Sequence, residues 1–250
     1  MILRAPPRRC DARHMSRLIL GLALAALALP ATAADRRYVV TDFDRVRVDG
    51  PFEVRLTVGG TSASSVASGD PEVLASLDIQ VQGTTLIVRK GASGWAERGP
   101  AGGPAPVITL TAPSLRSATV IGGGRLAIGG RVRSQRLDLQ VTGSGSIDAG
   151  GIDSNEMVVS LMGAGNVALA GRSGRARLQT NGSGTISAKP LTVGDLVVLL
   201  DGPGETQATA RFTANLTSTG LGRIVVTGTP ACVTKAVAGG PILCGPGAKP

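Results

Sequence analysis

A Gly-x-Gly tripeptide recurs six times along the second half of the chain, and this repeat constrains the fold more than any other feature. The copies are Gly122-Gly123-Gly124, Gly143-Ser144-Gly145, Gly163-Ala164-Gly165, Gly182-Ser183-Gly184, Gly202-Pro203-Gly204 and Gly220-Leu221-Gly222. Their first glycines lie 21, 20, 19, 20 and 18 residues apart. One such tripeptide means little. Six at this period mark a repeating structural unit that buries its apolar face only by stacking on its neighbours.

The flanks define the unit. Two residues before each first glycine stand Val120, Val141, Leu161, Thr180, Leu200 and Ser218; four before stand Ala118, Leu139, Val159, Leu178, Val198 and Leu216. Four after stand Leu126, Ile147, Val167, Ile186, Thr206 and Ile224. Three before, the residues are mostly polar: Thr119, Gln140, Ser160, Gln179 and Thr217, with Leu199 the exception. Alternation with period two on both sides of a glycine pair reads as strand, tight corner, strand. Stacked in register, Leu139, Val159, Leu178, Val198 and Leu216 form one inward ladder, and Ile147, Val167, Ile186 and Ile224 another. The expected fold is all-β: a parallel β-helix or solenoid with coils of about 20 residues, right-handed by the rule for connected parallel strands.

Residues 38–112 lack the tripeptide but share the texture. Phe43, Val46 and Val48 alternate, as do Phe52, Val54, Leu56 and Val58, with Asp49-Gly50-Pro51 turning between them. Further strands are expected at Ile79–Val81, Leu86–Val88 and Val107–Leu110, and Pro71–Leu77 reads as a short helical turn. The expected organisation is an N-terminal β segment (38–112) that caps the solenoid, the repeat proper (113–229), and a C-terminal cap and tail (230–250). Residues 91–106 form a Gly/Pro/Ala-rich loop carrying Trp95.

Residues 38–229 resemble the head GIN domain family, also labelled "putative auto-transporter adhesin head domain". The resemblance rests on Phe43-x-x-Val46-x-Val48-x-Gly50-x-Phe52-x-Val54, on Gly69-Asp70 followed by Val73-Leu74, on Leu86-Ile87-Val88, on Ala112-Pro113-Ser114-Leu115, and on the serial Gly-Ser-Gly-x-Ile units. It implies a β-solenoid in an exported, envelope-associated protein and carries over no catalytic residues. The fifth unit departs from the pattern, with Thr206 where the others carry an aliphatic residue, and so does the 91–106 loop.

The first 33 residues read as a secretory leader rather than as part of the fold. Arg4, Arg8, Arg9, Arg13 and Arg17 precede the apolar run Leu18–Leu29, and Ala31-Thr32-Ala33 supplies a cleavage pattern. Met15 is an alternative start. The run is too short to span a bilayer as a helix, and no later run is longer, so no transmembrane span is expected after cleavage. The leader holds five of the 26 Lys and Arg and one of the 17 Asp and Glu, which leaves 21 against 16, a net of +5. Scattered Arg with few aromatics argues against nucleic acid as a partner. An envelope glycan or a cell-surface protein fits better, with self-association through sheet edges as a further possibility. The location expected is periplasmic, or at the cell surface or beyond it.

Reaction chemistry is sparse. The single His, His14, lies in the leader, so a Ser-His-Asp triad is excluded after cleavage. Cys232 and Cys244 read as a structural disulfide in an exported chain, and nothing accompanies them to complete a zinc site. No cofactor is expected. The rival to a binding module is a carbohydrate-active enzyme, because parallel β-helices include polysaccharide lyases and hydrolases. Glycoside hydrolysis needs paired carboxylates. Asp138 and Asp148 could approach within one coil, and Asp201 and Glu205 flank one corner, but no carboxylate recurs across adjacent coils at one offset. The reading is therefore an exported, non-catalytic β-solenoid for binding, adhesion or envelope structure.

Overall fold

The computed structural model describes residues 34–91 and 105–248. The leader, including His14 and Met15, and Trp95 with most of its loop lie outside the described residues. Residues from Ala34 onward form one compact unit, a β-solenoid of about six turns.

The first strands are β1 (Ala34–Tyr38), β2 (Arg45–Asp49), β3 (Glu53–Val58) and β4 (Ser64–Gly69). A five-residue helix α1 (Pro71–Ala75) follows, then β5 (Leu77–Gln82), β6 (Thr85–Lys90), β7 (Val107–Ala112), β8 (Ser117–Gly122) and β9 (Arg125–Gly130). Five long strands come next: β10 (Val132–Gly143), β11 (Ser146–Gly163), β12 (Asn166–Asn181), β13 (Thr185–Asp201) and β14 (Glu205–Ser218). The chain then runs through β15 (Arg223–Gly228), β16 (Ala231–Ala236) and β17 (Ile242–Cys244).

Each rung has two broad sides that meet at a Gly-x-Gly corner. The first side stacks β6, β2, β8, the C-terminal parts of β10 to β14, and β16, all parallel. The second stacks β7, β3, β9, the N-terminal parts of β11 to β14, then β15 and β17, again parallel. A short third side, residues 132–134, 152–154 and 171–173 in successive rungs, closes the loop. Alternation sends every second side chain inward. Ala118, Leu139, Val159, Leu178, Val198 and Leu216 are partners in consecutive registers, and all are buried.

The N-terminal segment enters the stack out of sequence order. Val46 of β2 pairs with both Leu86 of β6 and Ala118 of β8, so the first rung built by the chain lies inside the solenoid. The rung formed by β6 and β7 sits outside it. Its edges are covered by antiparallel strands: β5 on β6, β4 on β7, and β1 on β4. Asp70 caps α1, its carboxylate accepting from the Glu72 N–H (2.8 Å). The segment 91–106 joins β6 to β7, where Gly50-Pro51 joins β2 to β3 one rung further in.

The corner glycines answer a close approach between rungs. A Cβ on Gly145 would stand 2.6 Å from the Gly124 carbonyl oxygen and 2.8 Å from Val120 Cγ1, and one on Gly163 would stand 2.6 Å from the Gly143 oxygen. The first glycine of the first five corners is also left-handed, as at Gly143 (φ 111°), where other residues are strained. The same column continues beyond the six tripeptides. A Cβ on Gly124 would meet the Gly50 oxygen at 2.6 Å, and one on Gly240 would meet the Gly222 oxygen at 2.5 Å. Residues 231–244 therefore add a last parallel rung, with Cys232 on one broad side and Cys244 on the other. Their disulfide (Cα–Cα 6.3 Å) bolts the two sides together across the corner. A closed loop of this length contributes about 3 kcal/mol in the chain-entropy account.

The irregular fifth unit stays in register, Thr206 lying between Ile186 and Ile224. Thr206 and Thr180 are both buried, and their hydroxyls meet at 3.2 Å. Two apolar positions have been replaced together by a hydrogen-bonded pair, which leaves neither hydroxyl orphaned.

Two outcomes follow, both readable by thermal or denaturant unfolding. Gly145→Ala is expected to cost about 1–3 kcal/mol by overpacking against backbone, while Ser144→Ala at the exposed middle of the same corner is near neutral. Thr180→Val alone is expected to cost about 1–3 kcal/mol, because it strands the Thr206 hydroxyl. Adding Thr206→Ile should recover most of that loss.

Candidate functional site

The outward faces of the two broad sides and the third side differ in chemistry. On the third side and where it meets the first, charges alternate from rung to rung: Arg136, Glu156, Arg175 and Asp195 are partners in successive registers, as are Arg133, Asp153 and Arg172. Arg172 Nε donates to Asp153 Oδ1 (2.8 Å), and Arg136 Nη1 lies 3.5 Å from Glu156 Oε1. These exposed pairs are each worth little, about 0–1 kcal/mol. Their alternation still penalises a slip by one rung, which would set like charges opposite each other. Arginines that look scattered in sequence are thus ranked and largely answered by acids.

The first broad side is different. Its central outward column runs Thr119, Gln140, Ser160, Gln179, Leu199 and Thr217, each in register with the next. No ionisable residue occurs in it, over roughly 24 Å at the inter-strand spacing. Charge returns only at its two ends, with Arg47 before Thr119 and Lys235 after Thr217. The column beside it runs Ile121, Thr142, Met162, Asn181 and Asp201. Between the two lies a shallow trough of about 280 Å³, lined by Ser160, Met162, Gln179, Leu199, Asp201 and Thr217 among others. Asp201, its only ionisable group, accepts from Thr219 Oγ1 (3.1 Å) and Asn181 Nδ2 (3.4 Å). The Arg177 guanidinium lies against the Gln179 amide, whose oxygen accepts from it once the amide is turned to satisfy both groups. The result is a shallow surface of hydroxyls, amides and aliphatic groups, bordered by Arg177 on one side and Asp201 on the other.

The structure puts the two members of each candidate acid pair on different broad sides of the rung. Asp138 points out from the first broad side, where it accepts from Arg136 Nε (3.2 Å). Asp148 points out from the second, between Ala127 and Ala168. Asp201 and Glu205 flank one corner on different sides, and Glu205 accepts from Gln207 Nε2 (2.8 Å). Among the described residues no three His, Cys, Asp or Glu side chains gather in a group able to hold a metal ion. The sequence repeat exposed the column Gln140, Ser160 and Gln179. It did not expose Met162, Asn181 and Asp201 as its partners, although their equal offsets from the corners were the available signal.

Residues 42–230 match the family described as "Putative auto-transporter adhesin, head GIN domain". The chain belongs to the head GIN domain family. Solved structures with the same fold include a "putative adhesin" from Bacteroides fragilis NCTC 9343 (23% identity, TM-score 0.75, covering 84% of this chain and 96% of that one). A "putative lipid binding protein" from Parabacteroides distasonis ATCC 8503 is also similar (18% identity, TM-score 0.70, 85% and 96% covered). So is a "putative adhesin" from the same organism (15% identity, TM-score 0.69, 85% and 97% covered). No curated protein matches. The family and these neighbours carry the names of adhesins or lipid-binding proteins, not of enzymes.

The hydrogen bond from Arg172 holds the Asp153 carboxyl below the usual carboxylate range, helped by the charges of Arg172, Arg133 and Arg131. A depressed acid stabilises the fold above its unfolded pKa and loses that contribution as pH falls through the folded value. In an NMR titration Asp153 should show a midpoint below that of an ordinary aspartate, and Arg172→Ala should raise it.

Proposed function

We propose that this head GIN domain is an exported, non-catalytic module that binds an extended, uncharged envelope ligand, a glycan chain, through the outward stripe of its first broad side. The observation that carries this reading is the unbroken column from Thr119 to Thr217, free of ionisable residues on a molecule whose third side is densely charged. A column repeating once per rung presents the same hydroxyl or amide donor and acceptor groups at regular intervals. A linear polymer with its own repeat can engage several of them at once, which multiplies weak contacts. Leu199 and Met162 supply apolar area between the polar groups.

Two features support export. Residues 1–33 carry the basic, apolar and A-x-A sequence of a leader. The terminal rung is held by a disulfide, a bond that persists in oxidising compartments. The adhesin names of the family and of its structural neighbours agree with a role in adhesion or envelope structure.

The test is co-sedimentation of the purified protein with envelope polysaccharide, alongside a glycan array. The unaltered protein should be retained. Ser160→Arg combined with Gln179→Arg should weaken retention by at least tenfold, while Arg175→Glu on the third side should leave it unchanged. Absence of binding in the unaltered protein, or equal loss in both variants, overturns the proposal.

A further inference from the structure

The two ends of the solenoid are finished differently. At the N-terminal end, antiparallel strands cover the outermost rung, and the last of them, β1, is charged, with Asp35, Arg36 and Arg37 in succession. At the C-terminal end, β16 pairs only with β14 and β17 only with β15. No described strand covers their outer edges. All six residues of β16 are exposed. The apolar exposure of the molecule gathers here as well. Val233 (64%), Val237 (64%), Leu243 (41%) and Leu221 (74%) surround this end, against Val39, Met162 and Phe212 elsewhere among the described residues.

The hydrogen-bond pattern tells which backbone groups are on offer. Val237 N–H donates to Ser218 O (2.8 Å). Alternation along a parallel ladder then turns Val233 and Lys235 towards β14, and turns the N–H and C=O groups of Cys232, Thr234 and Ala236 to the open edge. An open edge with aliphatic neighbours is a template for another strand. The charged N-terminal end is a poor match for it. An identical C-terminal end is a good one, because it is apolar in the same places and a two-fold axis makes the two edges antiparallel.

We propose that two copies of this chain associate tail to tail, pairing β16 with β16 about a two-fold axis at Thr234. Thr234 then faces its own copy as a hydrogen-bonded pair. Cys232 faces Ala236, and Val233 faces Lys235, so the lysines stay off the axis and no like charges stand directly opposite. The first broad side becomes continuous across the junction. β16 is about 20 Å long and β17 about 10 Å, so the footprint belongs to the small, weakly bound class of interface. Association in the micromolar range or weaker is the expectation. The pairing uses the end of the solenoid and leaves the ligand stripe of each copy free.

Sedimentation velocity of the purified chain over a hundredfold concentration range tests this. A monomer–dimer equilibrium that stops at the dimer is expected, with the dimer's maximum dimension by small-angle scattering near twice that of the monomer. Thr234→Pro removes an open-edge N–H without touching a bond to β14 and should weaken the dimer at least tenfold. Val233→Lys, an exposed change that leaves the backbone alone, should do the same by setting a lysine directly opposite Lys235 of the other copy, and it decides the matter if the proline variant fails to fold. Met162→Glu on the ligand stripe should leave the dimer intact. A protein monomeric at every concentration, a ladder of larger assemblies, or a dimer unaffected by Val233→Lys overturns the proposal.

Discussion

The structure depends on how closely one backbone corner can lie on the next. Parallel strands stack at about 4.8 Å, and at the Gly-x-Gly corner this spacing leaves no room for a Cβ. A side-chain carbon on Gly145 or Gly163 would sit 2.6 Å from the carbonyl oxygen below it. Because each corner must pass under the next, the glycines fix where the chain turns. The turn fixes which residues of the flanking strands face inward. The ladders of Leu, Ile and Val, and the outward columns of Thr, Gln and Ser, both follow from that one steric condition. Recognition surface and core are the two faces of the same alternation.

Most polar groups inside the stack are paired. Thr180 and Thr206 stand at otherwise aliphatic positions on neighbouring rungs and satisfy each other. Ser218, also buried, donates to the Gly220 carbonyl (3.2 Å). On the third side, Ser154 donates to Ser173 (3.1 Å) and Ser173 to the Arg175 carbonyl (2.8 Å). The buried hydroxyls of Ser65 and Ser134 have no protein partner among the described residues, a cost of about 1–3 kcal/mol each where water does not reach them. The exposed charge ladder is paired as well, at lower energy. It gives the stack a register rather than much stability.

Much of this was legible in the residues. The period, the strand–corner–strand unit and the inward ladder through Leu139, Val159 and Leu178 all follow from alternation around the tripeptides. The site was legible only in part. Gln140, Ser160 and Gln179 stand at one offset and are visible as a row. The trough also depends on Met162, Asn181 and Asp201, which become its wall only once neighbouring columns are laid side by side. The Thr180–Thr206 contact could not be read from sequence either. It links different offsets on different sides of the rung, and it looks like an irregularity until the interior is closed.

The chain by itself determined the rung: a local pattern of period two, broken by glycine where a Cβ cannot fit, is enough to specify strands, corners and which side chains face in. Only the tertiary structure decided the order of the rungs at the start and the finish at the end. Val46 of β2 lies between Leu86 and Ala118, so the earliest parallel rung lies inside the stack, and residues 231–244 continue the ladder instead of covering it. Every parallel rung offers the same backbone groups to a neighbour. Which rung lies on which is therefore settled by long-range fit and by what remains to cover each edge, and neither is written in any local stretch of residues.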